Sequence, residues 1–153
     1  MENVVIVGAG HGAGQVCVSL RQNGFEGAIT MIGEEPWYPY QRPPLSKKYL
    51  SGEMPAERLY FKPRSFYTDQ AIDVRLNSAV VGIDPTAKTV TTDVGESVSW
   101  GQLVLATGSR PRRLDIDGSD LDGIHYLRGI DDVNGIRERF SPGRRIAIIG
   151  AGY

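Results

Sequence analysis

Val4-Val5-Ile6-Val7 runs straight into Gly8-Ala9-Gly10-His11-Gly12-Ala13, and no other feature limits the possible folds as sharply. Four consecutive apolar, mostly β-branched residues suit a strand covered on both faces, as in a parallel sheet. The glycines that follow form a G-x-G-x-x-A turn. In such a turn the first glycine allows the sharp exit from the strand. The second keeps side chains away from a pyrophosphate, and the small third residue lets the next helix pack closely. Val16, Leu20 and the small Cys17 and Ser19 fall at helical spacing over residues 15–22, with Gly24 placed to end that helix. Ala28-Ile29-Thr30-Met31-Ile32 reads as a second strand, which completes a βαβ unit. Glu34 lies just beyond it, 21 positions after Ala13, close to the separation of about 20 expected for a carboxylate on an adenosine ribose. Glu35 is the alternative for that role.

The same pattern returns at the other end of the sequence. Ile146-Ala147-Ile148-Ile149-Gly150-Ala151-Gly152 repeats Val4–Gly10 almost letter for letter. Two such loops in one polypeptide imply two dinucleotides, one a tightly held flavin and the other a transient nicotinamide that delivers hydride to it. The chain is accordingly expected to be an N-terminal fragment of a longer protein, with the strand at residues 145–149 opening the second unit.

Between the two loops the pattern changes. Tyr38-Pro39-Tyr40-Gln41-Arg42-Pro43-Pro44-Leu45-Ser46-Lys47 is too rich in proline for a helix interior or a central strand. It reads either as a stiff wall beside a flat ring, with Lys47 presenting a positive charge, or as a polyproline surface loop. A short helix is expected over 44–50 and another over 65–71. Residues 79–83, 88–92 and 96–100 read as three strands joined by turns at Asp84-Pro85 and Asp93-Val94-Gly95, an antiparallel meander. Leu103-Val104-Leu105-Ala106 is a further apolar strand, and 130–140 a helix whose Asp131 and Asp132 favour its N-terminus.

Composition narrows the function classes. Seventeen basic against eighteen acidic residues leave a formal charge of −1, which argues against nucleic acid or a membrane surface as the main partner. No apolar run approaches the roughly 18 residues of a membrane span. With no export signal at the start, a cytoplasmic protein is expected. The lone Cys17 cannot form an internal disulfide or a thiolate metal cluster, and it reads as a packed core thiol. His11 and His125 are not spaced as an acid–base or metal pair. No nucleophile, general base or metal site is therefore expected. Trp37, Tyr38 and Tyr40 suit either ring stacking or packing beneath the proline segment. Arg110, Arg112 and Arg113 form a basic run suited to steering an acidic protein or to solvent.

Taken in order, V-x-I-V-G-A-G-H, R-P-P-L-S-K, L-V-L-A-T-G-S-R-P, Y-L-R-G-I-D-D and I-I-G-A-G-Y resemble the FAD-dependent, NAD(P)H-dependent ferredoxin and rubredoxin reductases. These are the reductase components of oxygenase systems, related to putidaredoxin reductase and the apoptosis-inducing-factor flavoproteins. The resemblance implies an α/β fold of three layers, with a central parallel sheet and an antiparallel β-meander. It implies a first FAD-domain segment at 1–114 and the truncated start of an NAD(P)H domain at 115–153. It places Gly8, Gly10 and Gly12 on the FAD pyrophosphate, Ala13 with them as a cofactor-binding residue, and Glu34 on the ribose. Arg42, Pro43 and Lys47 would approach the flavin, and Val80 would meet the adenine through its backbone. Ala106, Thr107 and Gly108 would line the middle of the cofactor, Arg128 would reach FAD from the interdomain segment, and Gly150 and Gly152 would serve NAD(P)H. The loop departs from the commoner G-A-G-H-A-G in having Gly12-Ala13, yet both residues are small. The implied partner is a ferredoxin or rubredoxin that accepts electrons. The alternative is a non-catalytic FAD-binding fragment or an interaction module of the apoptosis-inducing-factor type.

Overall fold

A computed structural model describes residues 2–150 of the chain. The apolar run after the first residues forms β1 (Asn3–Val7), and the glycine turn leads into α1 (His11–Gln22), followed by β2 (Ala28–Ile32). The helix begins four residues earlier than side-chain periodicity suggests. Gly10, in extended conformation, is its N-cap, and the glycines at 12 and 14 fall inside it. Next come a 3-10 turn at Pro43–Ser46, a second at Ala56–Leu59, α2 (Arg64–Asp69) and β3 (Ile72–Arg75). The meander follows as β4 (Val80–Asp84), β5 (Thr89–Thr92) and β6 (Ser97–Ser99), then β7 (Gln102–Leu105) and α3 (Ile130–Arg139).

The four strands β3, β2, β1 and β7 pair in that order, all parallel. The chain thus steps outward from β1 on one side and returns to its other side with β7. Alternation along the strands sorts the two faces. Val4 and Ile6, with Ile29 and Met31, join Ala13 and Cys17 of α1 and Tyr67 of α2 in one buried cluster. Val5, Val7 and Ile32 turn to the opposite face and meet Val90 of the antiparallel β4–β5–β6 sheet. Helices, parallel sheet and meander make the three layers expected.

A second apolar cluster holds the proline segment. Tyr40, Leu45, Tyr49 and Leu59 pack with Ile130 and Val133 of α3. Residues 39–41 are tied to 59–61 by two backbone hydrogen bonds, Gln41 N–H to Leu59 O and Phe61 N–H to Pro39 O, each 2.8 Å. Tyr49 Oη donates to Asn134 Oδ1 at 2.9 Å and Trp37 Nε1 to Asp131 Oδ2 at 3.1 Å. The aromatic residues of this stretch are thus used for packing, with Tyr38 lying against Tyr67 at 5.3 Å between ring centroids.

Three local expectations need correction. The helix at 44–50 is only a 3-10 turn over Pro43–Ser46; the prolines suit its first positions, and the backbone leaves helical geometry at Lys47, with φ −129° and ψ −116°. The strand β3 was not anticipated. Ile72-Asp73-Val74-Arg75 offers just two apolar residues, and it becomes a strand as the edge partner of β2. Residues 145–149 do not form a strand. Ile146, Ile148 and Ile149 are 60, 85 and 77 % exposed, since a parallel strand needs a neighbour to satisfy its ladder and none of the described strands pairs with it. Gly150 nevertheless has φ +109°, nearly the +110° of Gly8. Gly152 lies outside the described residues.

Candidate functional site

At the carboxyl ends of β1, β2 and β7 the chain makes its turns, and these turns surround a cavity of about 890 Å³. Open α/β sheets bind ligands here, where neighbouring strands lead off to opposite sides. Gly8 closes β1. Its N–H donates to Ile32 O at 2.7 Å, its φ is +110°, and a Cβ there would overlap the Ala106 carbonyl. Only glycine fits. Gly10 and Gly12 differ in kind: a Cβ at either position would meet nothing within 4 Å. Their lack of side chains leaves space in the cavity they line and is not a requirement of packing. Ala13 is fully buried against the sheet and lies behind the cavity wall.

The N-terminus of α1 opens onto this space. No side chain caps it and its first turn carries no acid, so its N–H groups and the positive end of its dipole are available to an anion. After β2, Glu34 lines the cavity and accepts from Arg110 Nη2 at 2.9 Å across it. The pair is well exposed, with side chains 62 and 83 % accessible. Glu34 can therefore change partner at little cost. Ser78, Ala79 and Val80 close the same end, while Ala106, Thr107 and Gly108 continue the wall after β7.

Arg42 and Pro43 also line the cavity, and here the geometry assigns Arg42 a role the sequence did not suggest. Its Nη2 donates to Glu35 Oε1 at 2.6 Å, and its Nη1 to Tyr40 Oη at 2.8 Å and to the Arg128 carbonyl at 2.7 Å. Tyr40 Oη in turn donates to Glu35 Oε2 at 2.6 Å. Burial, followed by the hydrogen bond and charge of Glu35, pushes the Tyr40 hydroxyl far above its ordinary value. Glu35 is thus a structural carboxylate, and Glu34 is the one free to face a ligand. The network fixes the segment that carries Arg128, whose Nε donates to Ser109 O at 2.9 Å. Asp132 Oδ2 accepts from the N–H groups of Arg128 and Gly129 at 2.8 and 2.7 Å and caps α3. Arg128 thereby bridges from α3 to the loop after β7 and lines the cavity.

Of the residues singled out from the sequence, Gly8, Gly10, Gly12, Glu34, Arg42, Pro43, Val80, Ala106, Thr107, Gly108 and Arg128 share this cavity. Lys47 is not among them. It caps the Pro43–Ser46 turn through its N–H to Pro44 O and is exposed outside the lining. Gly150 is also outside it. Sequence reasoning did not assign Gln41, Ser78, Ala79 or Ser109 to the site. Each is an unremarkable loop residue whose place depends on which strand ends meet. Arg110, read as part of a basic run, instead pairs with Glu34. Arg113 lies over the Tyr126 ring, 5.2 Å from its centroid. Among the described residues, no helix is long and apolar enough to cross a membrane.

A glycine-lined helix N-terminus, a carboxylate after β2 and a cavity at the sheet's reversal point are the features of a dinucleotide-binding α/β fold. Residues 2–153 match the family model for pyridine nucleotide-disulphide oxidoreductases, and the chain belongs to that family. Within it, the chain is 46% identical over 151 residues to the ferredoxin–NAD(P)(+) reductase of Sphingomonas sp, covering 99% of this chain and 36% of that one. It is 40% identical over 149 residues to the rubredoxin–NAD(+) reductase of Pseudomonas putida, covering 97% and 39%. Among solved structures, a ferredoxin reductase from Rhodopseudomonas palustris superposes with a TM-score of 0.86 at 42% identity, over 91% of this chain and 34% of that one. The putidaredoxin reductase–putidaredoxin complex gives 0.83 at 36% identity, over 90% and 34%. The chain therefore spans little more than a third of the length of these relatives.

Proposed function

We propose that the chain is the FAD-binding part of an NAD(P)H-dependent ferredoxin or rubredoxin reductase that serves an oxygenase system. The observation that carries this reading is the cavity itself, in which an uncapped helix N-terminus, Glu34 and the 106–108 turn line one continuous space. The names of the similar proteins support the acceptor class.

The residues present fit FAD. The first-turn N–H groups of α1, reached past Gly10 and Gly12, hold the diphosphate. Glu34, whose pair with Arg110 is exposed, would accept from the ribose hydroxyls, and the Val80 backbone would meet the adenine. Ala106, Thr107 and Gly108 line the middle of the cofactor. Arg42 and Pro43 wall the flavin end, and Arg42 also holds Arg128 in place beside it. When bound, the flavin supplies the conversion of a two-electron hydride donation into single electrons for an iron–sulfur acceptor. No side chain of this chain need act as nucleophile or general base. The protein excludes water and orients rings. Lys47, exposed beside the Pro43–Ser46 turn, would bring its positive charge toward the flavin.

Residues 1–114 are assigned to the first segment of the FAD domain and 115–153 to the start of the nicotinamide-nucleotide domain, with Gly150 and Gly152 in its loop. On this reading the 153-residue chain alone binds FAD but sustains no NADH-to-dye turnover. The test is to titrate the purified chain with FAD, following flavin fluorescence, and then to add NADH and dye. Saturable binding without turnover is expected. A folded chain that ignores FAD would refute the cofactor assignment, and steady turnover would refute the division of labour.

A further inference from the structure

A boundary after residue 114 puts α3 in the second unit, but its packing ties it to the first. Ile130, Val133, Asn134 and Arg137 recur at three- and four-residue spacing, so they share one face of the helix. Ile130 and Val133 are fully buried, in one cluster with Tyr40, Leu45, Tyr49 and Leu59. Around that apolar contact Tyr49 Oη donates to Asn134 Oδ1 at 2.9 Å, and Trp37 Nε1 to Asp131 Oδ2 at 3.1 Å. The Arg137 guanidinium lies over the Tyr49 ring, 5.7 Å from its centroid. Just ahead of the helix, Arg42 Nη1 donates to the Arg128 carbonyl at 2.7 Å, and a Cβ at Gly129 would lie 3.2 Å from Tyr40 Oη.

Neither flank of α3 is anchored in this way. Residues 110–127 are largely exposed, and their backbone hydrogen bonds are local turns, Ser119 N–H to Ile116 O, Leu121 N–H to Gly118 O and Ile124 N–H to Leu121 O. This loop is tied to the helix itself, through Arg139, which donates to both Asp122 carboxylate oxygens at 2.8 and 2.9 Å. On the other side the backbone leaves helical geometry at Phe140, with φ −76° and ψ 126°. Pro142 follows, Gly143 adopts φ +84°, and residues 141–149 are exposed throughout. A proline that stops the helix and a glycine in the left-handed region let the chain change direction with no packed contact to break.

We propose that α3 is a strap held rigidly by the first unit, and that the pivot between the two nucleotide units lies at residues 140–144, after the helix. The existence of two units rests on the reading above; the anchoring of α3 does not. On this geometry Arg128 stays with the cavity while the chain beyond residue 144 swings. Nitroxide pairs on the 153-residue chain test the proposal, placed on exposed residues replaced by cysteine, with Cys17 left buried and unlabelled. Glu57→Cys with Glu138→Cys joins the first unit to α3. Glu57→Cys with Gln22→Cys lies within the first unit, and Glu57→Cys with Ile148→Cys crosses the pivot. The α3 pair is expected to give a distance distribution as narrow as the pair within the first unit, and the Ile148 pair one at least about two-fold broader. A broad α3 pair overturns the proposal, and so does a narrow Ile148 pair. A second measurement uses Trp37→Phe, which leaves Trp100, beside the meander, as the only tryptophan. In that background Val133→Ala is expected to shift the urea unfolding equilibrium reported by Trp100 about ten-fold toward the unfolded chain. An unchanged equilibrium means that α3 detaches independently of the first unit, which also overturns the proposal. Neither readout uses FAD, so a chain that fails to bind FAD refutes the cofactor reading, while the position of the pivot stands or falls on these measurements alone.

Discussion

Replacing the loop glycines one at a time by alanine separates folding from binding, because the structure gives the three positions opposite physics. At Gly8 the added methyl requires a non-glycine residue at φ +110° and overlaps the Ala106 carbonyl. The backbone strain alone costs about 1–3 kcal/mol. Relief of the overlap must push β7 from β1, where Ala106 N–H donates to Val7 O at 2.8 Å. Gly8→Ala is therefore expected to lose about 3 kcal/mol or more, a large part of the stability of an ordinary domain. Gly12 lies in the first turn of α1 with open space around its Cβ position. Gly12→Ala is expected to gain about 0.5–1 kcal/mol in the absence of ligand. Its methyl enters the cavity, however, and holds a diphosphate away from the helix N–H groups. One or two charge-assisted hydrogen bonds, each worth about 1.5–3 kcal/mol, are weakened, so FAD affinity should fall about 10- to 100-fold. Gly10→Ala should behave likewise in binding but lose about 0.5–1 kcal/mol, because alanine is a poorer N-cap than glycine. Urea titrations followed by Trp37 and Trp100 fluorescence give the stabilities, and flavin fluorescence gives the affinities. A Gly12→Ala chain that is less stable than wild type, or that binds FAD equally well, would refute the reasoning.

Other substitutions test the rest of the site. Arg42→Ala strands the Glu35 carboxylate, the Tyr40 hydroxyl and the Arg128 carbonyl, at an ion pair that is partly accessible. It should cost about 1–2 kcal/mol in urea unfolding, and the loss should be less than additive with Glu35→Gln. Glu34→Ala should leave stability within about 0.5 kcal/mol, since its pair with Arg110 is exposed, while weakening FAD about ten-fold; equal FAD binding would move the ribose contact elsewhere. Burial pushes the Cys17 thiol from 9.0 up to about 11, against a smaller lowering by Arg21. Iodoacetamide at pH 8 should therefore label it only when the chain is unfolded. Because the unfolded chain gives up this proton first, Cys17 makes stability fall as pH rises from about 9 to about 11. A Cys17→Ala chain should lack that component of the alkaline decline.

The first βαβ unit was legible because its signals are local. Val4–Val7, the glycines and Ala28–Ile32 specify strand, turn and strand through residues a few positions apart, and the meander shows the same alternation. The repeated motif at 146–152 was just as legible as a pattern, yet 145–149 stays irregular, because a pattern supplies no ladder partner. The strand β3 failed in the opposite way. Its own four residues are too polar to announce a strand, and β2 makes them one.

Within the site, sequence sufficed wherever a residue acts through its own size or backbone. Gly8, Gly10 and Gly12 were singled out by spacing alone, and spacing narrowed the carboxylate to Glu34 or Glu35. It did not suffice where the chemistry depends on a distant partner. Glu34 meets Arg110 across 76 positions and Arg42 meets the Arg128 carbonyl across 86, so no local signal separates Glu34 from Glu35, or a flavin-facing arginine from one that braces its neighbour. The amino-acid order fixed where the backbone must turn and where it must leave room. Only packing decided which charges are spent on each other and which remain free for a ligand, because pairing is set by proximity in space and burial raises the cost of every group left unpaired.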